Sequence, residues 1–322
     1  MPSLKLVFAG SPSAAVPSLL ALIAGPHEVV GVVTREDSPQ GRRGVLTPTP
    51  VAAAADEHGI PVIKANKLAG SATEQIIALG ADLGVIVAYG GLVREPLLSA
   101  PAHGWINLHF SLLPRWRGAA PVQRAIIAGD EVTGAAVFQL VPELDAGDVF
   151  AVLEQSIGAF ETAGHLLDSL AELGAGLLAG VVDSIADGSA RATRQVGDVT
   201  LAPKLTLVDG DVDWSQPAAT VTSLIRGVTP EPGAFTTLDG GRLKILEARI
   251  AHDSPRLAPG HLAQEGKLIL IGTATQAVEL IQVHPAGRKA MDAGSWWRGR
   301  AAGAATVAST STVASTSTVA SA

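Results

Sequence analysis

The sequence predicts an α/β fold, with a mostly parallel sheet wrapped by helices, then a small β-barrel and a disordered tail. Three observations carry this expectation. Over residues 1–188, short β-branched runs alternate with helical patterns, the signature of a parallel sheet with covering helices. Brief alternating runs separated by turn residues occupy residues 233–282, which suits a compact barrel. Beyond Arg300 the chain becomes an uncharged series of Ala, Ser, Thr and Val with one Gly, a composition that buries too little surface to offset its ordering entropy.

Residues 4–9 form an apolar run ending at Gly10-Ser11-Pro12, and Val16, Leu19, Leu20 and Ile23 then recur at helical spacing. That reads as strand, tight loop and helix. Residues 29–34 give a second strand, 51–58 a helix and 60–63 another short strand. Residues 82–89 are so apolar that they belong at the centre of the sheet. They run into Gly90-Gly91, beyond the carboxyl end of a strand, where doubly wound sheets hold ligands. Residues 105–109 supply the next strand, in which Asn107 and His109 are polar where burial is expected. Residues 121–129 read as helix, 135–140 as strand, 143–148 as a polar turn, 149–152 as strand and 165–188 as a Leu- and Ala-rich helix closing the first domain. The turn-rich residues 189–206 read as a linker. Residues 207–302 form the second domain, with a short helix at 218–226 and strands at 233–237, 242–249, 260–264, 267–272 and 277–282. Residues 303–322 are the tail. The segment 34–50, with Arg35, Arg42 and Arg43 among Gly and Pro, fits no regular element; such a loop is either functional or simply solvated.

The 322 residues, 47% hydrophobic, suffice for two cores. The absence of cysteine excludes disulfides, thiolate nucleophiles and thiolate metal sites. No basic region with an apolar run and cleavage site opens the chain, and no uninterrupted apolar stretch is long enough to span a bilayer. A cytoplasmic monomer that avoids membranes is expected. The net charge of −7 argues against a basic coat. Residues 242–300 nevertheless carry nine basic residues against five acidic ones, which permits an anionic partner there. Gly10-Ser11-Pro12 lacks the spacing of a dinucleotide or phosphate-loop fingerprint.

On a strand, Asn107 and His109 point to one face. An amide donor beside an imidazole is what a tetrahedral, oxyanion-bearing intermediate requires; a pair of buried polar groups satisfied by backbone leaves the same pattern. In the acidic turn Glu143-Leu144-Asp145-Ala146-Gly147-Asp148, the Asp145 carboxylate either orients His109 and keeps it basic or caps its own turn. Near the end, Arg288 and Lys289 precede Trp296, Trp297, Arg298 and Arg300. Basic residues beside aromatics suit RNA contact, whereas tryptophans near a terminus also pack against a core.

From residue 5 to residue 300 the chain resembles the methionyl-tRNA formyltransferase family. The longest match is Asn107-x-His109-x-Ser111-Leu112-Leu113-Pro114-Arg115-Trp116-Arg117-Gly118-Ala119-Ala120-Pro121. Leu144-Asp145-Ala146-Gly147-Asp148, Val87-Ala88-Tyr89-Gly90, Phe8-Ala9-Gly10-Ser11-Pro12 and Pro285-Ala286-Gly287-Arg288-Lys289-Ala290-Met291 add to it. The resemblance implies a Rossmann-like formyltransferase domain followed by an OB-type, tRNA-binding barrel. It implies formyl transfer from 10-formyltetrahydrofolate to the amino group of methionyl initiator tRNA, with no metal. Asn107, His109 and Asp145 would be catalytic, and Tyr89, Gly90, Leu92, Ser111, Leu112, Leu113 and Pro114 would line the folate site. Arg42, Arg43, Arg288 and Lys289 would contact the tRNA. Phe110 departs from the pattern, standing where the family often has glycine. The expected chemistry is direct attack by the amine, with the oxyanion held by Asn107 and a protonated His109, and Asp145 orienting the histidine and helping to remove the amine's proton. Another folate-dependent formyltransferase or a formyltetrahydrofolate hydrolase would share the three catalytic residues but use a different acceptor, and the C-terminal barrel argues against it; a sugar-nucleotide formyltransferase would lack the basic loop and the segment 285–291.

Overall fold

The structure, a computed structural model, describes residues 2–41 and 44–300. The tail expected to be disordered, and Arg42 and Arg43, lie outside the described residues. Spatial clustering divides the chain into two units. Among the described residues, one comprises 2–122, Val132–Ile157 and His165–Lys204, and the other comprises Gln123–Glu131, Gly158–Gly164 and residues 205–300. Two short segments within residues 1–188 therefore cluster with the second unit, and residues 189–204, read as linker, cluster with the first.

The first unit contains β1 (Lys5–Gly10), α1 (Val16–Ala24), β2 (Glu28–Thr34), β3 (Ser38–Gln40), β4 (Val45–Thr47), α2 (Pro50–Glu57), β5 (Val62–Lys64), α3 (Ser71–Ala78), β6 (Leu83–Val87), β7 (Trp105–His109) and β8 (Arg117–Gly118). After α4 (Pro121–Ala128), most of which belongs to the second unit, come β9 (Val132–Gln139), β10 (Val149–Ser156), α5 (Ala163–Ala186) and β11 (Leu201–Ala202). Seven strands form one sheet in the order β10-β9-β7-β6-β1-β2-β5. From β7 to β5 every pairing is parallel, while β9 and β10 are antiparallel to their neighbours. As its composition predicts, β6 is buried along its whole length. Glycine is required at position 84, because a Cβ there would lie 2.1 Å from the ring of Trp105. Thr49 caps α2 by accepting from the Ala52 N–H at 3.1 Å, with Pro50 in the first turn.

By length and composition α5 is apolar enough to cross a bilayer, although no uninterrupted apolar run signalled such a length. One face of this helix, with Leu166, Leu170, Leu178 and Val182, is buried. A Cβ at Gly174 would come within 3.0 Å of Leu108, so α5 covers β7 as a core helix. The segment 34–50, expected to be irregular, holds the hairpin β3–β4, with Ser38 opposite Thr47 and Gln40 opposite Val45. All six strand residues are exposed, so no in–out alternation marks them in the sequence.

The second unit contains α6 (Ala218–Gly227), β12 (Ala234–Leu238), β13 (Gly241–Ile250), β14 (Leu262–Glu265), β15 (Leu268–Ile271), β16 (Val278–Pro285), β17 (Met291–Asp292) and α7 (Ala293–Arg298). Its six strands are antiparallel, ordered β12-β13-β16-β15-β14, with β17 on β16. All five expected strands are present. Among the described residues β12 and β14 do not pair, so the sheet is an open half-barrel rather than a closed barrel. Trp214, Val221, Ile225, Ile245, Leu280 and Trp296 lie in its core. Trp296 thus follows the packing alternative, with Trp297 edge-on to it at 6.1 Å and the Arg300 guanidinium 4.8 Å from the Trp297 ring.

Candidate active site

Strand β7 carries Asn107 and His109 at alternate positions, opposite Phe138 and Ala136 of β9. Asn107 is partly exposed, and among the described residues no hydrogen bond engages its side chain. The ring of His109 is buried, 6% exposed, with Phe138 packed edge-on at 6.4 Å. Its Nε2 donates to the Trp116 carbonyl at 2.8 Å. A carbonyl only accepts, so in the neutral ring the proton sits on Nε2 and Nδ1 is bare. Nδ1 faces Asp145 Oδ2 at 3.9 Å, beyond hydrogen-bonding range. Burial pushes the His109 pKa down, while the Asp145 charge and the Trp116 carbonyl pull it back only in part. A lowered pKa favours a neutral imidazole in the resting site.

Asp145 is only 12% exposed at its side chain. Its Oδ2 accepts from the Gly118 N–H at 2.8 Å. Gly118 has φ 128°, and a Cβ there would lie 2.7 Å from the Ala202 carbonyl oxygen, so glycine alone presents its N–H to the carboxylate. Gly147, in the same turn as Asp145, is equally confined: a Cβ would meet the Gln139 carbonyl oxygen at 1.7 Å.

The segment 193–202 runs alongside both parts of the site. Gln195 Nε2 donates to the carbonyls of Asp145 and Gly147, each at 2.8 Å, and its Oε1 accepts from Arg117. The Trp116 N–H donates to Thr200 Oγ1 at 2.9 Å, and β11 pairs with β8. Sequence reading missed these residues. Their roles rest mostly on backbone partners, which leave no residue-type pattern.

The residues expected at the folate site separate into two groups. Ser111 is fully buried and its hydroxyl donates to the Arg115 carbonyl at 2.6 Å, closing the turn. Tyr89 is buried and donates to the Ala65 carbonyl at 2.6 Å. Burial raises its pKa against the opposing charge of Arg35. Pro114 is buried as well. These three hold the framework, whereas Leu112 and Leu113 are partly exposed and Gly90 and Leu92 exposed. Arg35 bonds the carbonyls of Tyr89 and Gly90 and fixes that corner. Phe110 is 6% exposed, and its backbone is not left-handed, so the position has no need of glycine. In the second unit, Arg288 and Lys289 are exposed. A hollow of about 470 Å³, lined by Gln139, Glu143, Gly147 and Phe150 among others, lies against the Asp145 turn and includes neither Asn107 nor His109. Among the described residues no group of three or more His, Asp or Glu gathers to hold a metal ion.

Residues 4–182 match the family described as Formyl transferase, and residues 204–301 match Formyl transferase, C-terminal domain. The chain is 60% identical over 296 residues to a methionyl-tRNA formyltransferase of Clavibacter sepedonicus, covering 92% of this chain and 97% of the relative. A methionyl-tRNA formyltransferase of Acidothermus cellulolyticus is 48% identical over 314 residues, with the same coverage. An N-formyltransferase from Helicobacter canadensis, solved with folinic acid and dTDP-3-aminofucose, is similar in fold, with a TM-score of 0.67 at 15% identity over 86% of this chain and 98% of its own.

Proposed function

The chain belongs to the methionyl-tRNA formyltransferase family, and on that premise we propose that Asn107, His109 and Asp145 carry formyl transfer from 10-formyltetrahydrofolate to the amino group of methionyl initiator tRNA. The carrying observation is the Asn107 amide, without a hydrogen-bond partner among the described residues, on the same strand as a neutral imidazole that faces a carboxylate. The co-substrate supplies a formyl carbon bonded to a leaving nitrogen. Asn107 donates to the formyl oxygen as negative charge gathers there. Nδ1 of His109 takes the proton that the amine gives up on attack, and Asp145 stabilises the resulting imidazolium. Nε2 stays on the Trp116 carbonyl and fixes the ring. One nitrogen–carbon bond forms as the other breaks, and the proton passes to the leaving nitrogen, so atoms and charge balance.

Gly90, Leu92, Leu112 and Leu113 offer surface to the folate, while Tyr89, Ser111 and Pro114 support that surface from beneath. Arg42, Arg43, Arg288 and Lys289 contact the tRNA, and the protein acts as a cytoplasmic monomer. The deciding assay is formyl transfer to methionyl initiator tRNA beside methionyl elongator tRNA. Alanine at Asn107, His109 or Asp145 should abolish most turnover; near-normal transfer by all three variants refutes the assignment. Alanine at Arg42 or Arg43 should raise the tRNA KM, flatten its salt dependence and leave the folate KM alone.

A further inference from the structure

A turn that presents a carboxylate to a catalytic ring has to be held in place, and the Asp145 turn is held from outside. Asp145 has φ 45°, a left-handed conformation uncommon outside glycine that aspartate adopts chiefly in turns. The group that holds this turn comes from the segment between α5 and β11. Gln195 Nε2 donates one hydrogen to the Asp145 carbonyl and the other to the Gly147 carbonyl, each at 2.8 Å. Its Oε1 accepts from Arg117 Nε at 3.2 Å and from the terminal Nη2 at 2.6 Å. The next residue, Gly118, donates its N–H to the Asp145 carboxylate at 2.8 Å. Asp145, Gln195, Arg117 and Gly118 thereby close a ring of hydrogen bonds.

Resting on the roles proposed above for His109 and Asp145, we infer that Gln195 is a positioning residue of the formyl-transfer site, locking the Asp145 turn onto the Arg117-Gly118 strand so that the carboxylate stays opposite His109. The amide head suits this task because two donors on one side and an acceptor on the other satisfy two carbonyls and a guanidinium together. An ionised glutamate keeps the Arg117 partner and sets its charge against two carbonyl oxygens. Alanine removes all four bonds.

The test compares wild type, Gln195→Ala, Gln195→Glu and Asp145→Asn in steady-state transfer to methionyl initiator tRNA, with pH profiles and melting temperatures. For Gln195→Ala, kcat should fall ~10-fold to ~10²-fold, as a misplaced catalytic group predicts, while the KM values for tRNA and folate hold. The acidic limb of its kcat profile should move to lower pH, because a loosened Asp145 no longer lifts the His109 pKa. Should the alanine variant fail to fold, Gln195→Glu, which retains the Arg117 contact, is read on the same terms. A lowered melting temperature with unchanged kcat per folded molecule and an unmoved acidic limb overturns the inference, as does wild-type kcat in either Gln195 variant. If Asp145→Asn is inactive while the Gln195 variants are not, only this inference falls. Full activity in Asp145→Asn removes the reading on which it rests.

Discussion

His109 and Asp145 face each other across 3.9 Å with no hydrogen bond between them. Each is fastened instead to one short stretch of chain, His109 to the Trp116 carbonyl and Asp145 to the Gly118 N–H. That stretch sets the spacing of the pair, and the gap leaves Nδ1 open to a proton from elsewhere.

Asp145→Asn removes the charge that lifts a histidine already lowered by burial. Its acidic limb in kcat should therefore move to lower pH, and kcat should fall by about 10² or more. Rate profiles across the titration of His109 decide this, and an unmoved limb contradicts the geometry.

The same burial predicts how stability responds to acid. The folded-state pKa of His109 is below its ordinary value, so the unfolded chain binds the proton more readily. The contribution of His109 is complete above about pH 6.5, the unperturbed value, and is lost as pH falls towards the folded-state pKa. Wild type should lose more melting temperature on acidification than His109→Gln, measured by thermal unfolding at neutral and mildly acidic pH.

Asn107→Ala separates chemistry from folding. The side chain has no hydrogen-bond partner to lose among the described residues, so the melting temperature should hold while kcat falls ~10²-fold to ~10³-fold, the usual effect of deleting one oxyanion donor.

Gly147→Ala drives a methyl into the Gln139 carbonyl at 1.7 Å. The turn has to shift, at a cost of about 1–3 kcal/mol by analogy with overpacked sites, and kcat should fall with it. Gly180→Ala is the control: nothing lies within 4 Å of its added methyl, and an exposed helical glycine replaced by alanine stabilises by roughly 0.5–1 kcal/mol. Denaturant midpoints should move in opposite directions for the two.

Several of these relationships could be read from the residues alone. The two-residue period of β7 puts Asn107 and His109 on one face, and the apolar run of β6 marks the centre of the sheet. The approach of Asp145 was not legible. In the β7–β9 pairing His109 lies opposite Ala136, well upstream of Asp145, and the later turn returns to the ring only because Gly118 and Gln195 hold it. The partner of Ser111 was hidden for a related reason, since a hydroxyl in a matched motif looks available until its bond to the Arg115 carbonyl is seen. The hairpin β3–β4 escaped because its exposed residues carry no pattern, and the open edge of the second sheet because pairing between distant strands is not a local property.

The pairing of β11 with β8 also determines where the protein can be dissected. The N–H groups of Trp116, Arg117, Ala119 and Ala120 all end on Thr200 or Ala202. A fragment truncated where α5 stops would strip four donors of their acceptors at once. An autonomous catalytic half must keep its chain through Ala202, so the boundary for excision lies beyond the point at which helical periodicity fades.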